Sequence, residues 1–182
     1  MLHLAFRASA APAALALPTM HGQANWLPGK RPAPGFTLPD QNGRLVSLRA
    51  QRGRAVVVAF MDPLCKQECP IEGRELGAAE QQLAPTQRSA LLIVSVNPLA
   101  TGADAKRADA KWHIPGNAHW LLGDPEQLAA IWHAYGITVV GPTGAVHSTA
   151  IYLIDRDGYE RAGFVAPFLP QFVADDLRTL AA

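Results

Sequence analysis

Cys65 and Cys69 are the only cysteines of this 182-residue chain, and they stand four residues apart where an apolar run gives way to a helix-forming one. Two thiols so placed can close a disulfide, attack a substrate disulfide and resolve the product, or hold a soft metal ion as thiolates. If the segment is helical through the pair, the i, i+4 spacing puts both sulfurs on one face, close enough to share a metal or to oxidise with modest adjustment. Helix-end amides and Lys66 would then favour thiolate over thiol. The plainer alternatives are two small buried hydrophobes or a structural disulfide. Position at a strand–helix junction and the lack of any other cysteine favour a redox or metal role.

The elements that must position the pair can be read on either side. Ala55–Phe60 is an uncharged, valine-rich run of strand length, suited to a central strand covered on both faces. Asp62-Pro63 breaks it, and Pro70 opens a helix of about Pro70–Leu83, with Glu72, Glu75 and Glu80 favouring its early turns. Upstream, Phe36–Leu38 and Leu45–Leu48 flank Asp40-Gln41-Asn42-Gly43, a hairpin signal. Downstream the spacing predicts a strand at 90–96, a helix at 104–112 closed by Pro115-Gly116, and a short strand at 120–122. A helix at 125–135 capped by Asp124 follows, then a strand at 148–154, a turn at 155–158, a hairpin partner at 160–165 and a helix at 170–180. Alternation with a closing hairpin predicts an α/β fold, a central mixed sheet flanked by helices.

Composition narrows the function classes. A formal net charge of +1 without a basic run gives no footprint for nucleic acid, and no uncharged stretch approaches the roughly 18 or more apolar residues that a spanning helix requires. Residues 1–33 read as a leader and linker. Arg7 precedes the short apolar run Ala8–Leu17, which has the pattern of a degenerate export signal, and Asn25–Pro34 carries three prolines in an extended approach to a single domain over 34–182. Of the six histidines, His3 and His21 fall in this leader, His113 and His133 suit helix-end and surface positions, and His119 beside Trp120 suits a structural role. Trp26, Trp112, Trp120 and Trp132 read as packing anchors. Asp62 is a turn former before it is an acid for the site.

His147 differs through its context. Phe36-Thr37-Leu38 with Asp40-Gln41-Asn42-Gly43, then Cys-x-x-x-Cys-Pro, and finally His147-Ser148-Thr149 leading into Ile151–Gly158 together resemble the Sco/SenC family of copper proteins over about Pro32 to the C-terminus. The resemblance implies a thioredoxin-like fold with an N-terminal β-hairpin, and copper, as Cu(I) or Cu(II), bound by Cys65, Cys69 and His147. It also implies extracytoplasmic work, periplasmic or membrane-associated. The implied partners are a recipient copper protein, such as a cytochrome c oxidase subunit whose copper centre is being assembled, and a thiol-disulfide reductant. Many members carry an acidic residue just before the histidine, where this chain has Val146.

Two function classes follow. One is a metallochaperone that passes copper on by ligand exchange. The other is a thiol-disulfide oxidoreductase in which Cys65 and Cys69 are the catalytic pair and His147 tunes their thiolate character. A peroxidase is the weaker third, for want of an arginine near the motif in sequence.

Overall fold

In the computed structural model, which describes residues 19–141, 143–144 and 146–181, a six-stranded sheet carries the cysteine motif at its centre. The strands are β1 (Ala24–Asn25), β4 (Val56–Met61), β5 (Ala90–Ser95), β6 (His119–Leu121), β9 (Ile151–Ile154) and β10 (Glu160–Phe164), in the order β1-β10-β9-β4-β5-β6. β2 (Thr37–Pro39) and β3 (Leu45–Ser47) form the expected N-terminal hairpin, and β7 (Val139–Val140) and β8 (Val146–His147) form a second. Four helices complete the fold: α1 (Cys69–Gln81), α2 (Gly102–Trp112), α3 (Pro125–Tyr135) and α4 (Pro170–Ala181).

β4 is the axis of this arrangement. It runs parallel to β5 and antiparallel to β9, and all six of its residues are buried. Because successive side chains alternate faces, Val57, Ala59 and Met61 enter one core with Leu76 of α1, Ala108 of α2 and Leu177 of α4. Val56, Val58 and Phe60 enter the other with Leu128 and Tyr135 of α3 and with Leu38 and Val46 of the first hairpin. Each fully buried aliphatic side chain contributes about 1.5–3 kcal/mol, so a charge on either face of β4 would be costly.

Local chemistry sets the helix ends. Thr101 accepts from the Asp104 amide in a capping box, and Asp124 accepts from the amides of Glu126 and Gln127. α2 stops at His113, which is in the left-handed conformation, and not at Pro115-Gly116. Gly77 lets α1 meet that turn: a Cβ there would lie 2.8 Å from the His113 carbonyl oxygen.

Two expectations are revised at the far end of the chain. The strand expected over 148–154 is confined to Ile151–Ile154, and His147 belongs instead to the small β7–β8 hairpin. Ser148 closes that hairpin, its amide bonding the Thr138 carbonyl and its hydroxyl accepting from the Thr138 amide, both at 2.9 Å. At the N-terminal side, β1 pairs with β10, Met20 is buried, and Trp26 bonds the Arg161 carbonyl, so the approach to the domain is laid along its edge. The leader expected over 1–17 lies outside the described residues. Among the described residues no helix is long and apolar enough to cross a membrane.

Candidate metal and redox site

β4 ends at Met61, and the chain turns sharply at Asp62. Its carboxylate accepts from the Leu64 amide at 2.9 Å and the Asn97 side chain at 3.2 Å, while its carbonyl accepts from the Cys65 amide at 3.0 Å. Asp62 is thus the turn former the sequence suggested. Cys65 stands in the turn, and α1 begins only at Cys69, with Pro70 next. The pair is therefore not carried on one helical face; the turn, not the i, i+4 repeat, sets the approach of the two sulfurs.

Both cysteines are free, and their surroundings differ. Cys65 is half-buried, whereas Cys69 is fully buried. Burial pushes the Cys69 thiol up and so favours the protonated form; the Asp62 amide, donating to Sγ at 3.4 Å, opposes this, and Cys65 and Glu72 reinforce it. Helix-end amides and Lys66 are expected to favour thiolate over thiol; at Cys69 desolvation outweighs the one amide that reaches the sulfur. Lys66 faces α2 on the side of Cys65.

His147 reaches the site from β8, its Nε2 lying 3.9 Å from Cys69 Sγ. Its Nδ1 lies 3.1 Å from the Ser148 carbonyl oxygen. A carbonyl can only accept, so Nδ1 is the donor in this contact, and in the neutral ring Nε2 is then the nitrogen left free on the side of the sulfur. The backbone thereby does what an acidic neighbour would do, and exposed Val146 leaves the ring oriented all the same. Gly144 fixes the hairpin: it has φ +65, and a Cβ there would fall 1.9 Å from the Val96 carbonyl oxygen.

Among the described residues no three Cys, His, Asp or Glu side chains converge closely enough to enclose an ion. Cys69 and His147 face each other with Cys65 in the adjoining turn, so a metal would have to draw Cys65 and His147 inward. The donor set suits such an ion: two soft sulfurs and one neutral imidazole nitrogen match copper in either common oxidation state.

Beneath the pair lies Glu72, which is fully buried, with neither carboxylate oxygen partnered. Burial first, then the neighbouring Glu75, Cys65 and Glu68, pushes its carboxyl well above the usual range. Sequence reasoning placed Glu72 on the helix dipole and missed its burial; its position three residues after Cys69, on the face of α1 that meets the sheet, was the available signal. Asn97 and the cations of α2 were also missed, because only the fold brings them to the motif. The other described histidines stay apart from the site. His119 Nδ1 meets Asp40 at 3.1 Å, His21 bonds Asp176, His113 ends α2, and His133 is exposed on α3. Trp112 and Trp120 pack in the core, Trp132 donates to the Ser95 carbonyl, and Trp26 stacks on Tyr152.

The model of the SCO1/SenC family matches residues 27–182. A Mycobacterium tuberculosis protein that bears a provisional peroxiredoxin name is 33% identical over 140 residues, 72% of this chain and 80% of that one. Among solved structures, copper-bound ScoI of Bradyrhizobium japonicum superposes with a TM-score of 0.69 at 26% identity, covering 81% of this chain and 98% of that one. A SCO1/SenC family lipoprotein of Bacillus anthracis gives 0.76 at 21% identity, covering 87% and 100%. These likenesses bear out the thioredoxin-like fold read from the sequence. With the family model spanning nearly all of the described fold, the chain belongs to the SCO1/SenC family.

Proposed function

We propose that this protein is a copper metallochaperone that holds one ion through Cys65, Cys69 and His147 and passes it to a partner by ligand exchange. The observation that carries the reading is His147 Nε2 facing Cys69 Sγ at 3.9 Å, with the ring held by the Ser148 carbonyl. Copper in the Bradyrhizobium relative supports it. Three donors leave Cu(I) or Cu(II) a coordination position open, which hand-over to an incoming ligand requires. The recipient is the copper centre of a cytochrome c oxidase subunit, the setting is extracytoplasmic, and a thiol reductant keeps the pair open; family membership supports each.

Copper titration of the reduced protein, read by absorbance and electron paramagnetic resonance, tests the ligand set. Wild type is expected to bind one equivalent, and the disulfide form to bind poorly, since both thiolates must be free. His147→Ala should weaken Cu(II) more than Cu(I), because two thiolates hold Cu(I) nearly alone. An unchanged Cu(II) spectrum in that variant would remove His147 from the site.

A second reading, thiol-disulfide exchange on partner proteins, is favoured by the unequal burial of the pair. A half-exposed Cys65 can attack and a buried Cys69 can resolve. Turnover of a protein disulfide without copper, lost in Cys65→Ser, would establish it. The same assay run with hydrogen peroxide asks whether the chain shares the chemistry named for its mycobacterial relative.

A further inference from the structure

Cys65 opens on its α2 side into a pocket of about 200 Å³ whose cationic walls are Lys66, Arg107 and Lys111, with Leu64 and Trp112 among its apolar lining. Lys66 and Lys111 come from segments more than forty residues apart in sequence and are both exposed. Among the described residues neither takes part in an ion pair, while Arg107 is paired with Asp104. Asp104 is the one acidic residue lining the pocket, and it also caps α2, bonding the Thr101 amide and hydroxyl. The local balance is therefore positive although the chain is close to neutral. On the opposite side of the motif the lining changes character, to Glu68, Ile71, Ala166 and Pro167.

We propose that this pocket selects the exchange partner of Cys65, taking thiols and disulfides whose reacting sulfur carries carboxylates nearby. The proposal rests on the reading of Cys65 as the exposed, attacking member of the pair. In the forward direction the Cys65 thiolate attacks one sulfur of an anionic disulfide. The new sulfur–sulfur bond forms as the old one breaks, and the leaving thiolate takes a proton from water. Cys69, once deprotonated, displaces the second half in the same way, so the protein dithiol is oxidised and the disulfide is reduced to two thiols. Run in reverse, one acid-flanked thiol opens the Cys65–Cys69 disulfide as a mixed disulfide at Cys65 and a second displaces it, so two thiols leave as their own disulfide and the copper-binding dithiol is restored. Lys66 and Lys111 act by raising the local concentration of the anionic partner and by orienting its carboxylates against the wall of the pocket.

The full-length reduced protein, free of metal, is mixed with anionic glutathione disulfide, neutral hydroxyethyl disulfide or cationic cystamine, and the rate of mixed-disulfide formation at Cys65 is followed by mass spectrometry. Wild type is expected to react in the order anionic, neutral, cationic, with the extremes differing on the order of tenfold after correction for each reagent's intrinsic reactivity. Lys66→Glu with Lys111→Glu should reverse the order, Lys66→Gln with Lys111→Gln should flatten it, and high salt should flatten it in wild type. These side chains are exposed, and the neutral reagent reports on the intact thiol in every variant. A disulfide peptide with acidic residues beside its cysteine, outpacing glutathione disulfide, identifies the partner as a protein segment; the converse identifies a small thiol. An order untouched by charge reversal overturns the proposal while Cys65 remains a reactive thiol. Failure of wild type with all three reagents removes the reactive-thiol reading itself.

Discussion

Replacing Glu72 by glutamine should change how stability depends on pH, and by an amount the structure bounds. Both carboxylate oxygens are buried without a partner, and burial pushes the carboxyl well up. The group therefore folds protonated and unfolds into water, where its pKa is about 4.3. A raised folded pKa contributes stability that is full below the unfolded value and is lost as pH rises toward the folded one. Over that interval wild type forfeits about 1.4 kcal/mol per pH unit from this group alone. Glutamine keeps the shape and cannot ionise. Its buried amide costs about 1–3 kcal/mol, and that cost is independent of pH. Urea unfolding of the reduced, metal-free proteins at a series of pH values from 5 to 8 measures the difference between them, in which every other titrating group cancels. The Glu72→Gln protein should gain on wild type as pH rises, with a slope of up to about 1.4 kcal/mol per unit, flattening where Glu72 ionises in the folded state. A difference constant from pH 5 to 8 would refute the placement of a buried neutral acid under the cysteines.

Other outcomes follow from the same geometry. Iodoacetamide should modify Cys65 of the reduced protein well before Cys69, which burial keeps covered and protonated; peptide mapping of a time course would show equal rates if that contrast were wrong. Gly144→Ala combines a left-handed backbone, costing about 1–2 kcal/mol, with a clash that the Val96 carbonyl must escape by more than an ångström, so it should impair Cu(II) binding through His147 more than it lowers the urea midpoint. Asp109 has its carboxyl pushed up to about 6 by burial while accepting from Trp120 Nε1 at 2.6 Å. Tryptophan fluorescence should therefore titrate near pH 6, and Asp109→Asn should abolish that step. Since the raised pKa stabilises the protonated form, the Asp109 contribution is present below the unfolded value near 4 and is lost as pH climbs through about 6.

The sheet and helices were legible because their signals are local. The valine run of β4, the Asp40–Gly43 turn of the first hairpin and the Asp124-Pro125 start of α3 each name their element within a few residues. β1 and the β7–β8 hairpin carry two residues per strand, too few for any period to register, and they exist because β10 offers an edge and Ser148 clasps Thr138. The site divides in the same way. The cysteines, His147 and the turn role of Asp62 could be named from their order in the chain, whereas the burial of Glu72 and the arrival of Lys111 beside Lys66 depend on how α1 meets the sheet and where α2 lies. The thiolate expectation failed at Cys69 for a related reason: helix-end amides can be read from sequence, but the depth of burial that outweighs them cannot.

The central claim, that copper is held by two sulfurs and one imidazole of this chain, is tested most directly by X-ray absorption at the copper edge on the reduced protein loaded with one equivalent of copper. The expected first coordination sphere holds two sulfurs, with one imidazole nitrogen added in the Cu(II) form; the nitrogen should vanish in His147→Ala and one sulfur in Cys65→Ser. Wild-type copper bound through nitrogen and oxygen alone, or a sphere unchanged by both substitutions, would contradict it.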